Sequence, residues 1–234
     1  MSRPSLLLLH GALGSADQLR PLAELLEPDF AVSVLEFPGH GRTAAPSSGF
    51  TMKGFQDAIA EKIQRDGLAP ARVFGYSMGG FAACRLALEA PERFAGLATL
   101  GTLFHWDAAV AAREAAHLDV AAIREKVPRF AARLAERHGA EGWEALVERT
   151  RDLVLGLGRE GGIASEAMGH LAPNLRIMVG DRDESVDLAH SQSLALAAPR
   201  GSLEVIPFAG HPLERVPLPR LVRSIRDCFD DVNA

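Results

Sequence analysis

Six short apolar runs punctuate the chain: Ser5 to His10, Ala31 to Phe37, Ala71 to Tyr76, Ala95 to Leu100, Leu175 to Gly180 and Ser202 to Pro207. Alternating polar and apolar residues mark a strand with one wet face, whereas near-continuous Leu, Val and Ile mark a strand covered on both. Segments of helical period separate the early runs, at Asp17 to Leu26 and Met52 to Asp66, and a third, Met78 to Ala90, follows the third run. Parallel strands need crossover connections and helices supply them, so this order predicts an α/β fold built on a doubly wound, mostly or entirely parallel sheet of six strands. The alternation lapses between about Phe104 and Gly169, where Ala, Arg, Glu and Leu recur at helical spacing without a strand. A helical lid is expected there, divided near Pro128 and again near Gly139 to Gly142. The implied organisation is a first part of the core over residues 1–103, a lid over 104–170 and a second part of the core over 171–234. Leu213 to Phe229 reads as an amphipathic helix interrupted early by Pro217 and Pro219.

Between the third run and the helix after it stands Gly75-Tyr76-Ser77-Met78-Gly79-Gly80. A serine at a sharp strand-to-helix turn has its hydroxyl pushed out of the sheet, and glycines two before and two after it let neighbouring backbone pass without a Cβ clash. An ordinary glycine turn with an inert serine would show the same short pattern, but it has no need of a strand before it and a helix after it. Ser77 is therefore the candidate nucleophile. The N–H of Met78, at the start of the helix, is placed for a developing oxyanion, aided by the helix dipole.

Composition narrows the partners. The 234 residues carry a net charge of −5 with no basic run, which gives no electrostatic footprint for nucleic acid or an anionic membrane surface. Leu6 to Leu9 is too short to span a bilayer and is followed at once by His10-Gly11, so a cytoplasmic location is expected. Cys84 and Cys228 stand far apart without a CxxC or paired histidines; each is expected as a buried, reduced thiol on a helix, with no metal and no organic cofactor. The expected partner is a small-molecule substrate, and oligomeric state is not legible.

Of eight histidines, His211 alone follows a late strand in a glycine-bearing loop, Phe208-Ala209-Gly210-His211-Pro212, at the edge where open parallel sheets bind their ligands. It is the candidate base. A carboxylate must reach its Nδ1–H to hold the tautomer and stabilise the imidazolium. The loop Val179-Gly180-Asp181-Arg182-Asp183 offers two: Asp183, farther into the loop, is the choice, with Asp181 as the alternative and a solvated turn carboxylate as the fate of the other. Near the N-terminus, His10-Gly11-Ala12-Leu13-Gly14 closes the first strand in a turn whose Ala12 N–H is the candidate second oxyanion donor. His10 itself is expected to tie loops together rather than to move protons.

The order Ser77, Asp183, His211 and these motifs together resemble the α/β-hydrolase superfamily, in particular its small capped esterase- and lyase-like members. The resemblance covers nearly the whole chain and includes the loop Phe37-Pro38-Gly39-His40-Gly41-Arg42 after the second strand. It implies the acid three residues after the strand-ending glycine, which is Asp183. It also implies that two opening antiparallel strands of the family are missing, leaving an all-parallel six-stranded sheet. Members that eliminate pyruvate in menaquinone biosynthesis commonly carry an arginine after the elbow glycines, where this chain has Phe81.

The expected activity is hydrolysis of a small carboxylic ester or thioester through an acyl-enzyme. The alternatives are a triad-dependent lyase or carbon–carbon bond hydrolase of the same fold, and a non-catalytic binding member, whose usual mark, a broken triad or elbow, is absent. Substrate-pocket candidates are Leu13 and Tyr76, beside Ala12 and Ser77, and Phe104, His105 and Trp106, which leave the fourth strand on the active-site edge; for these last three a hydrophobic hinge that seats the lid on the core is the equal alternative. Trp143 reads as a packing residue. Arg129, Arg133 and Arg137 form a stripe at four-residue steps, but Glu125 and Glu136 lie close by. With nine basic against eleven acidic residues over 104–170, a solvated, salt-bridged face is the simpler explanation. No role is assigned to His105 or His117 beyond these.

Overall fold

The computed structural model describes residues 3–45 and 49–230; the ends of the expected core segments, residues 1–2 and 231–234, lie outside the described residues. Six strands form one sheet: β1 (Ser5–Leu9), β2 (Ala31–Leu35), β3 (Ala71–Tyr76), β4 (Phe94–Leu100), β5 (Asn174–Gly180) and β6 (Gly201–Ile206). They are arranged β2-β1-β3-β4-β5-β6, and every neighbouring pair is parallel. The helices are α1 (Ala16–Leu26), α2 (Met52–Arg65), α3 (Met78–Glu89), α4 (Ala108–Ala116), α5 (Val120–Lys126), α6 (Pro128–His138), α7 (Gly142–Glu160), α8 (Ser165–Met168), α9 (Leu188–Ala197) and α10 (Leu218–Asp230).

Side chains alternate across a strand, and both faces of this sheet are covered. Leu7, Leu9, Val73, Leu97, Ile177 and Val179 pack with α2, α3 and α9. Leu6, Leu8, Phe74, Ala98, Leu100 and Met178 turn the other way, toward α1 and α10. This two-sided burial is the reason the strands read as continuous apolar runs. Because all six strands run the same way, the loops after β1, β3, β4, β5 and β6 open at one edge. The strand order reverses between β1 and β3, which creates the crevice where doubly wound sheets bind ligands.

Most element boundaries match the sequence reading to within two residues. The β1 and β2 runs end early because Phe37 N–H is captured by the His10 ring (3.1 Å to Nε2) instead of a ladder carbonyl. The helical segment between β4 and β5 has breaks at Pro128 and at 139–141, as expected, and a further break that the sequence reading missed. There Asp119 caps α5 by accepting from Ala122 N–H. The stretch 213–229 contains a short 3₁₀ turn, Leu213–Arg215, before α10 begins at Leu218, the residue after Pro217. Among the described residues, no helix is long and apolar enough to cross a membrane.

Candidate active site

Ser77 has φ +51° and ψ −115°, a conformation that L-residues avoid at a cost of about 1–3 kcal/mol and that persists only where surroundings impose it. Those surroundings are visible. Its N–H donates to Leu100 O (2.8 Å), its carbonyl accepts from Phe81 N–H and Thr102 Oγ1, and the flanking glycines allow the chain to fold back. A Cβ on Gly75 would lie 2.5 Å from Gly80 Cα, and one on Gly79 would lie 2.6 Å from His10 O. The turn between β3 and α3 can be this sharp only with glycine at both places.

The loops after β5 and β6 bring the other two residues in. Ser77 Oγ is 3.3 Å from His211 Nε2, and His211 Nδ1 is 2.9 Å from Asp183 Oδ2 and 3.2 Å from Oδ1. The Asp183 side chain is 1% exposed, and its Oδ1 also accepts from Ser185 and Val186 N–H. Asp181 faces away from this line: its Oδ1 accepts from Ala209 N–H (3.2 Å) and ties the two loops together. Tyr76 hydroxyl donates to His211 O (2.9 Å), and burial pushes its phenol pKa upward, so it remains a donor.

A cavity of about 390 Å³ opens over this line, bordered by Ala12, Ser77, Met78 and His211. Of the five pocket candidates, Leu13, Tyr76 and Trp106 also border it. Phe104 and His105 do not. Phe104 turns down into the sheet core at 1% exposure, its carbonyl held by Ile163 N–H, while His105 turns outward to Asp107 Oδ2 (3.2 Å) and the His190 ring. Alternation along an extended exit segment accounts for His105 facing away from Trp106, but not for Phe104, two residues before Trp106, which the sheet core takes up instead. Trp143 is buried away from the cavity, in the core of the helical segment.

More of the apolar wall comes from Phe81 and from Leu153, Val154 and Leu157 of α7, none of which the sequence reading assigned to a pocket. Their i, i+1, i+4 spacing was the signal available. Two residues of the arginine stripe, Arg133 and Arg137, reach the cavity rim, whereas Arg129 is exposed elsewhere. Arg137 contacts Glu214 Oε1 (3.5 Å), which also accepts from Gln18 Nε2 (3.1 Å). Burial pushes the Glu214 carboxyl up, but its own backbone N–H, Gln18 and the two guanidinium groups outweigh it and hold the pKa below the usual range. His117, given no role in the sequence reading, also borders the cavity.

His10 ties loops as expected. One ring nitrogen lies 2.8 Å from Gly11 O, and the other accepts from Phe37 N–H, with Glu36 at 3.0 Å. Cys84 and Cys228 are both buried, the Cys228 thiol donating to Leu97 O (3.6 Å), and burial pushes Cys84 up to about 12, which leaves it unreactive.

Residues 4–153 match the family model described as the alpha/beta hydrolase fold. A curated relative, the dihydrolipoyllysine-residue acetyltransferase component of the acetoin cleaving system of Cupriavidus necator, is 27% identical over 226 residues, covering 88% of this chain and 58% of that protein. The pimeloyl-[acyl-carrier protein] methyl ester esterase of Vibrio campbellii is 33% identical over 99 residues, 42% of this chain and 37% of that protein. The chain thus spans between about a third and three fifths of the length of these curated relatives. The crystal structure of NosK from Streptomyces actuosus superposes with a TM-score of 0.83 at 20% identity, covering all of both chains.

Proposed function

The chain belongs to the alpha/beta hydrolase fold family, and from that premise we propose that it is a serine hydrolase of small carboxylic esters or thioesters. The observation that carries the reading is the unbroken line Ser77 Oγ, His211 Nε2, His211 Nδ1, Asp183 Oδ2, with contacts of 3.3 and 2.9 Å. His211 takes the Ser77 proton as Oγ attacks the substrate carbonyl. The N–H groups of Ala12 and Met78, both bordering the cavity, hold the oxyanion of the tetrahedral intermediate. His211 then gives its proton to the departing alkoxide or thiolate, leaving an acyl-Ser77 ester. A water deprotonated by His211 attacks that ester and releases the acid, returning the proton to Ser77. Asp183 keeps the imidazole in the tautomer that presents Nε2 to the serine, and stabilises its charged form.

In this reading residues 104–170 act as the lid. Its α7 side chains and Trp106 supply an apolar compartment for an acyl or alcohol group, and the name of the Vibrio relative, an ester hydrolase, points the same way. Replacing Ser77 by Ala is expected to lower p-nitrophenyl ester turnover by about 10⁴- to 10⁶-fold while leaving the circular-dichroism melt unchanged. A Ser77→Ala protein with wild-type turnover would overturn the proposal.

A further inference from the structure

We propose that His138, the last residue of α6, is a positioning residue that holds the oxyanion turn from the helical segment, acting through the carbonyl of Leu13. The inference rests on the assignment of Ala12 N–H as an oxyanion donor.

The turn needs an external hold. Leu13 sits at φ +56°, a left-handed conformation costing a branched L-residue roughly 1–2 kcal/mol, in a tight turn closed by Gly14 N–H to Gly11 O (3.1 Å). His138 supplies the hold. Its Nδ1 accepts from Gly41 N–H at 2.9 Å, which requires a lone pair there and puts the proton on Nε2. Nε2–H then donates to Leu13 O at 3.0 Å. One neutral imidazole thus joins α6, the loop after β2 and the turn after β1. It stays neutral because burial lowers its pKa.

Two further observations point to the same coupling. Arg137 Nη1 lies 3.3 Å from the same Leu13 oxygen, so consecutive residues of the helical segment converge on one carbonyl of the core. The Leu13 side chain, 8% exposed, packs in the apolar centre of that segment with Ile123, Leu134, Trp143, Leu146 and Val147. Main chain and side chain of Leu13 are both held from the lid side. The peptide that follows Leu13, two units along the tight turn from the one that carries the Ala12 N–H, therefore takes its orientation from α6, and a lid displaced at this end would carry the Ala12 N–H out of line. Movements of about 1 Å at such a donor cost up to 10²-fold in rate.

The test compares kcat and KM for p-nitrophenyl butyrate in wild type, His138→Leu and His138→Gln. His138→Leu keeps bulk but loses the donor, and is expected to lower kcat by about 10- to 100-fold with KM within about threefold. His138→Gln keeps an N–H for Leu13 O and should recover most of the loss. Wild-type kcat in His138→Leu, or equal impairment of both variants, overturns the inference, because the effect would then be absent or due to packing alone. If His138→Leu does not fold, His138→Asn takes its place: its carbonyl can still accept from Gly41 N–H, but it loses the Leu13 donor, and the same split is expected. Turnover by wild type, abolished in Ser77→Ala, separates failure here from failure of the hydrolase reading. If wild type shows no turnover, the amide resonances of Ala12 and Gly14 decide. They should shift in the variant lacking the donor and hold in His138→Gln, and no shift in either variant overturns the clamp.

Discussion

Asp181 and Asp183 are the same carboxylate two positions apart, and their surroundings give them different work. Asp183 is enclosed, accepts from two backbone N–H groups, and meets His211; Asp181 braces the loop that carries His211 by holding Ala209 N–H. Asp183→Asn should lower ester turnover by about 10⁴-fold, since an amide cannot stabilise the imidazolium and favours the wrong tautomer. Asp181→Asn keeps an acceptor for Ala209 and is expected to stay within about threefold of wild type. Steady-state kinetics on the two variants checks this, and equal losses would contradict it. The residues alone left this choice open, because loop curvature after β5 is a tertiary property; the spacing shared with the resembled family resolved it. Phe104 and His105 show the opposite difficulty. Nothing in their types reveals which way an extended exit segment turns each of them.

Helix α6 illustrates what an element can carry beyond its own residues. The ring of its C-terminal His138 lies 6.2 Å from that of His40, which in turn lies 5.0 Å from that of His10. Burial holds the pKa values of His40 and His138 below the ordinary imidazole value of 6.5, with neighbouring histidines pushing the same way. Unfolding exposes both rings, so below about pH 6.5 the unfolded chain binds protons that the native state refuses, and stability falls as pH drops through that window. Above it the contribution is constant. Calorimetric melting points between pH 7 and pH 5 should therefore decline in wild type and decline less in His138→Gln; parallel curves would contradict the assignment. Elements with strong periodicity were legible from sequence, whereas α9 was not. It has no acidic residue in its first turn and no basic one in its last, and its apolar residues are spread around it, with Leu194 buried and Leu196 79% exposed, so no face stands out.

At the scale of the molecule, an all-parallel sheet collects every carboxyl-end loop at one edge, and the reversal of order between β1 and β3 opens a crevice there. That single topological fact brings positions 12, 77, 183 and 211 together from four separate stretches of sequence. It was readable because continuous apolar strands and crossover helices follow directly from two-sided burial. The cavity wall was less readable, since it depends on how α4 and α7 pack over the edge, and Ala-rich helices with mixed charge constrain that packing weakly. The claim on which the functional account stands is that Ser77 is a nucleophile activated by His211. Incubating the intact protein with a fluorophosphonate and mapping the adduct by peptide mass spectrometry reads this without knowledge of the substrate. The account predicts a single adduct on Ser77, formed slowly in His211→Ala and absent in Ser77→Ala; no adduct, or one on a different residue, would contradict it.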